Sequence, residues 1–212
     1  MRFIFASVAL LVSTMSGAAT PIDGWYSGIF GGYAYVPNNI HTNSYGVTRS
    51  NATYWSGYDA GGSIGFKSHP MRYEGELTYI NANLKSFKIN HISQTGVGGY
   101  NNAILAMANV YYDFPNQWTC LQPFLGLGIG YGWIHAKLNS QGPQQATQFS
   151  GSNVKFAYQG TGGLIYNFSE NYAINIGYRY ITTVHVNSLG KLFQAQLGNL
   201  GVVYRFDGSN YK

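Results

Sequence analysis

An all-β fold, an eight-stranded antiparallel transmembrane barrel, is predicted for this chain by three observations. The first is composition. Charged residues make up 9% of the sequence and aromatic residues 17%, whereas a soluble domain carries about 25% charge. Charge is too scarce to clothe a surface in water. The second is periodicity. Eight segments of about 9 to 15 residues alternate oily and polar side chains with a period of two, the length that a tilted strand needs to cross a bilayer. The third is that the connections between them alternate short and long, the habit of bacterial barrels. No segment holds 18 apolar residues in a row, so no transmembrane helix is expected.

The elements follow in order. Residues 1–20, MRFIFASVALLVSTMSGAAT, read as a secretory signal. Arg2 supplies the positive start, Phe3 to Val12 the apolar run, and Ser16-Gly17-Ala18 or Gly17-Ala18-Ala19 the small residues before the cut. The run is too short for a membrane anchor. The division is therefore a signal peptide at 1–19, a barrel at 20–206 and a short periplasmic tail at 207–212. The strand segments are 24–36 (GWYSGIFGGYAYV), 56–67 (SGYDAGGSIGFK), 71–82 (opening MRYEGELTYI), 100–114, 122–136, 153–168, 172–183 and 193–206. Residues 68–70, 115–121 and 169–171 are short turns. Residues 37–55, 83–99 and 137–152 are long polar loops, and 184–192 is intermediate. This places both termini in the periplasm and four loops outside. Eight strands close without a free edge. Ten arise if a long loop hides a hairpin, for which TYWSGY at 53–58 is the candidate.

The strand faces separate. One face carries Tyr58, Ile64 and Phe66; Leu77 and Tyr79; Val110 and Tyr112; Leu125, Leu127, Ile129, Tyr131 and Trp133; Phe156, Tyr158, Leu164 and Tyr166; Ile174, Ile176 and Tyr178; Leu200, Val202, Tyr204 and Phe206. The other carries four acids, Asp59, Glu74, Glu76 and Asp113, and four bases, Lys67, Arg72, Arg179 and Arg205. The first segment has aromatics on both faces and does not declare itself. A lysine or arginine facing lipid near the midplane costs roughly 2 to 4 kcal/mol, so the charged face points inward. An eight-stranded barrel is just wide enough for side chains to fill it. A plugged lumen follows, in which Arg72, Glu74 and Glu76 pair with Arg179, Arg205 and Lys67. A paired-carboxylate active site at Glu74 and Glu76 is the competing reading, and the neighbouring bases already account for both. Glycines 126, 128, 130 and 132 are expected to form a flat inner wall that leaves room for long side chains from opposite strands. No helix follows them, so they make no phosphate loop.

Aromatic residues near strand ends fit two membrane girdles: Trp55, Tyr100, Trp133 and Tyr180 on the outer side, and Trp118, Tyr166, Tyr172, Tyr204 and Phe206 on the inner. The loops hold Arg49, Lys85, Lys88, Lys137 and Lys191 and no acid. Such a basic rim suits lipopolysaccharide phosphates or acidic glycans. Cys120 has no disulfide partner and does not follow the signal, so it is no lipid-anchor cysteine. The histidines 41, 91, 135 and 185 are scattered singly, without metal-site spacing. Nucleic-acid binding is not expected, because the bases divide between lumen and loops.

With the strands placed, the sequence resembles a known group. GWYSGIFGGY, 24–33, is similar to the opening strand of opacity-type and OmpA-type small outer-membrane barrels. NLGVVYRF, 199–206, resembles the barrel-insertion signal of outer-membrane proteins, with Asn199 its polar residue, Gly201 its glycine, and Tyr204 and Phe206 its aromatics. That phenylalanine is normally terminal, and here DGSNYK follows. The resemblance covers nearly the whole mature chain and implies a barrel assembled by the barrel-assembly machinery into a Gram-negative outer membrane. It also implies contact with outer-membrane lipids and lipopolysaccharide, no cofactor and a monomer. Such barrels support the envelope or serve as adhesins for host-surface molecules through their loops. Two alternatives stand beside that expectation. One is a lipid A-modifying enzyme, for which His91-Ile92-Ser93 and His135 are the candidates; a hydrolytic triad needs an orienting acid, and the loops have none. The other is a narrow channel, limited by the filled lumen.

Overall fold

The computed structural model describes residues 22–37, 39–42, 49–54, 56–89, 92–115, 121–141, 147–184 and 193–206. Eight strands form the wall: β1 (Gly24–Tyr35), β4 (Gly57–Ser68), β5 (Met71–Ile89), β7 (Gly98–Asp113), β8 (Leu121–Ser140), β9 (Thr147–Asn167), β10 (Tyr172–Thr183) and β11 (Gln194–Arg205). Each pairs antiparallel with the next, and β11 returns to β1, with Tyr26 opposite Arg205. The sheet therefore closes on itself and leaves no edge in the ring. Following the register around from Tyr26 leads through Gly65, Glu74, Asn109, Gly128, Gln159 and Ile181 to Ala195. Tyr26 itself faces Arg205, so the circuit is staggered by ten residues (205 against 195). That stagger is the tilt that closing a barrel requires.

The wall faces lipid with the predicted residues. Ile29, Leu77, Leu127, Ile129, Ile176 and Leu200 are among the most exposed side chains of the molecule. On β8 the outward apolar run from Leu125 to Trp133 covers eight residue steps. At about 3.4 Å per step and a tilt near 40° it spans roughly 20 Å, close to the apolar band of outer-membrane barrels. Trp25 and Phe66 meet edge to face at 5.6 Å, Tyr204 and Phe206 at 5.3 Å, and Tyr131 and Phe156 at 5.8 Å. Trp55 and Trp118 lie outside the described residues.

The undecided first strand is settled by alternation. Trp25, Ile29 and Tyr33 point out, while Tyr26 and Ala34 are buried in the lumen and Phe30 shares their face.

The long polar loops need correction. Within 83–99, β5 continues to Ile89, a short strand β6 (Ile92–Ser93) pairs back on it, and β7 begins at Gly98. Within 137–152, β8 runs to Ser140 and β9 starts at Thr147. Within 37–55 a hairpin forms from β2 (Asn39–Thr42) and β3 (Arg49–Tyr54), and β3 adds onto the end of β5. The hidden hairpin thus exists, but it is not built on TYWSGY and does not enlarge the ring. The reason is physical. A strand bathed in water on both sides has no need of an oily face, so polar composition does not separate it from a loop.

Candidate functional site

The lumen has two unlike parts. From the turn end to its middle it holds the charges. Lys67, Arg72, Glu76, Asp59, Asp113, Arg179 and Arg205 are all buried, and the side chain of Glu74 is 10% exposed. Arg72 Nε donates to Asp113 Oδ1 at 2.8 Å, and Lys67 Nζ stands 3.5 Å from Asp113 Oδ2. Arg72 also lies 3.6 Å from Glu74, its neighbour on the same strand face, and the Tyr26 hydroxyl donates to Glu74 at 2.7 Å. Arg179 Nη1 donates to Glu76 Oε1 at 2.5 Å, Thr78 Oγ1 donates to the same oxygen at 2.6 Å, and Asn109 Nδ2 donates to Glu76 Oε2 at 3.0 Å. Gln159 Nε2 extends the chain to Asn109 at 2.6 Å.

The expected partners are partly rearranged. Arg179 meets Glu76, but Lys67 and Arg72 share Asp113. Among the described residues no carboxylate pairs with Arg205. Its Nη2 donates to Asn167 Oδ1 at 2.6 Å and its Nη1 to the Glu170 carbonyl at 3.3 Å. Asp59 receives its hydrogen bond from Asn199 Nδ2, so the polar residue of the insertion motif also serves the folded lumen. Of the rest of that motif, Gly201 lies in β11 against Phe30 of β1, and Tyr204 packs outside on Tyr172 at 5.0 Å.

Aromatic rings complete this region, and pattern reading missed them. The Arg72 guanidinium carbon lies 4.7 Å from the Tyr111 ring centre and 5.1 Å from that of Phe124, and Arg179 lies 4.5 Å from Phe30. Such contacts repay part of the cost of desolvating an arginine. A signal was present in the period of two, since Tyr111 and Phe124 occupy inward positions of strands whose outward faces are also oily. The glycine wall is likewise used differently from expectation. A Cβ at Gly126 would land on the Tyr111 ring, and one at Gly128 on the Asn109 amide. The space is taken by the adjacent strand β7, whose side chains lean over β8, and not by opposite strands. A cavity of about 40 Å³ remains beside Ser63, Arg72, Glu74, Thr161, Arg179 and Asn199, room for a few waters at most.

The loop end of the lumen is mostly apolar, with Asn101 and Thr183 also buried there. Val36, Ile80, Leu105, Ile134, Ile181, Phe193 and Leu197 form one buried cluster, each at most 2% exposed. Lys155 shares the inward alternation with Ala157, Gln159 and Thr161 and is half-buried; it was not among the predicted lumen charges.

The described members of the basic rim lie on three strands. Lys85 and Lys88 are exposed on the far part of β5, Lys137 is half-buried on β8, and Arg49 begins β3. Lys191 lies outside the described residues, as do His91, His185, Cys120, the signal segment and the tail. His41 is on β2, Ser93 is exposed on β6, and His135 packs on Tyr100 at 5.8 Å.

Residues 4–206 match the family model described as an outer membrane protein beta-barrel domain. The chain belongs to this outer-membrane barrel family. Its fold resembles that of Neisserial surface protein A, with a TM-score of 0.55 at 19% identity, covering 86% of this chain and 97% of that one. It also resembles the outer membrane protein OprG from Pseudomonas aeruginosa, with a TM-score of 0.57 at 13% identity, covering 90% and 100%. At such identities the likeness is one of fold. Comparison with curated protein sequences finds no match. The family sets the chain in the outer membrane of a Gram-negative cell.

Proposed function

We propose that this barrel is a non-enzymatic surface protein, an adhesin or envelope-stabilising barrel, with its loop end outside the cell and both termini in the periplasm. One observation carries the reading. The wall made by β5, β7, β8 and β9 continues past the apolar band as a polar sheet that carries lysines and no acid. Nothing in a membrane requires that continuation, and a charged surface of one sign attracts anionic partners. The test uses cells displaying the protein, with and without residues 39–54, on immobilised sulfated glycans and host matrix. The hairpin β2–β3 stands outside the closed ring, so its removal leaves the wall intact. Binding that falls on deletion and with rising salt supports the adhesin. Absence of binding by a well-displayed barrel turns the reading to envelope support.

The apolar cluster across the loop end speaks against a conducting path, and planar-bilayer recording at neutral pH is expected to show no steady channel. A lipid A-modifying activity lacks an orienting acid beside His135, and unchanged lipid A mass spectra in expressing cells are expected.

A further inference from the structure

Charge is not spread evenly along the lumen. At the turn end the described residues set three buried bases, Lys67, Arg72 and Arg205, against two acids, Asp113 and Glu74. Two donors are left over there. Lys67 Nζ makes an ion pair with Asp113 at 3.5 Å but no hydrogen bond. Asn167 gives its oxygen to Arg205 at 2.6 Å, and its own NH2 group has no acceptor. Lys67 is 2% exposed and Asn167 0%. An uncompensated base in so dry a place is costly.

The bases flank a gap in the wall. Strand β1 runs between β4 and β11. Its Gly24 pairs with Lys67, and Tyr26, two residues on and on the same inward face, pairs with Arg205. A Cβ on Gly24 would meet no atom within 4 Å, and its φ of 135° is one that glycine adopts readily. The neighbouring Asp23 is exposed, and its Oδ2 accepts from the His69 N–H at 3.3 Å.

We infer that Lys67, Arg205 and Asn167 form a site for one carboxylate at the turn-end mouth of the lumen, with Gly24 leaving the room for it. A carboxylate fits because its two oxygens can serve two charged donors at once. It would also offset the surplus base. Such a group has two sources. One is the chain itself. The ladder reaches Phe206, whose N–H donates to the Trp25 carbonyl at 2.9 Å, and Asp207 follows with the same parity as Arg205; it lies outside the described residues. The other is a small free carboxylate that enters from the turn side. The inference goes beyond the surface-barrel reading, as it concerns the opposite end of the molecule.

The test uses the chain purified from outer membranes in detergent and unfolded in urea. Sodium acetate replaces sodium chloride at constant ionic strength as the probe. If Asp207 is the occupant, Asp207→Asn is expected to shift the unfolding equilibrium about tenfold toward the unfolded chain, and to lose most of that effect in an Arg205→Gln background. If the occupant is free, acetate is expected to stabilise the parent by about tenfold in the same constant, and Arg205→Gln much less. The inference is overturned if Asp207→Asn costs nothing and acetate stabilises nothing. It is also overturned if either effect persists at full size in both Arg205→Gln and Lys67→Gln. Should Lys67→Gln not fold, Arg205→Gln decides alone. No loop is altered and no adhesion is measured, so failure here and failure of the adhesin reading are separate results.

Discussion

From Lys67 to Arg179 the lumen is filled by ions, amides and rings; from Ile80 to Phe193 it is filled mostly by aliphatic side chains and one phenylalanine, with Asn101 and Thr183 buried among them. The two parts tolerate error differently. In the polar part Glu76 answers for Arg179 and Asp113 for Arg72 and Lys67, so removing one partner leaves a buried charge uncompensated. In the apolar part the contacts are non-directional, and a truncated side chain leaves only a hole. The difference teaches why eight charges cost the barrel little while complete, and why any one deletion is expensive.

The largest expected effect is that of Glu76→Ala, which strands Arg179. Its unfolding free energy in detergent is expected to fall by about 3 to 5 kcal/mol, and an unchanged urea midpoint would sink the packed-network account. Next comes Leu105→Ala in the apolar cluster, with a loss of about 2 to 4 kcal/mol. If it costs more than Glu76→Ala under the same conditions, the ranking of the two parts is reversed. Gly126→Ala drives a methyl into the Tyr111 ring, at a cost of about 1 to 3 kcal/mol. The double variant with Tyr111→Ala is expected to recover part of the Gly126→Ala loss, and strict additivity would show that the two sites do not touch. The smallest effect belongs to Arg205→Gln. That arginine has an amide and a carbonyl for partners, so a change near 1 kcal/mol is expected. A loss as large as that of Glu76→Ala would reveal a carboxylate partner for Arg205.

The closed ring and the inward charges were legible because both rest on the period of two and on the cost of placing charge in lipid. Leu125 to Trp133 declares its outward face by itself. The apolar plug was harder to see. Leu105 and Ile134 stand next to Ile104 and Trp133, so both faces are oily at that height and alternation loses contrast. Lys155 was overlooked for a related reason, since its segment turns polar toward the loop end on both sides. The strand character of 84–89 was hidden because Leu84, Phe87 and Ile89 do not keep a period of two, the ladder to β3 shifting register at Lys85. Lys137 likewise reads as a loop residue until β8 is known to reach it.

By itself the sequence determined that the chain crosses a membrane as an eight-stranded barrel, which face meets lipid, and that acids and bases both point inside. Those conclusions follow from local alternation and from solvation energies, which need no knowledge of neighbours. Only the tertiary structure decided that Arg72 and Lys67 share Asp113, that Arg205 meets the Asn167 amide and the Glu170 carbonyl, and that the ladder between β3 and β5 shifts register beside Lys85. Each of these depends on the stagger between strands, which sets the height of a residue against its neighbours. A register is a property of pairs of strands, and no single strand carries it.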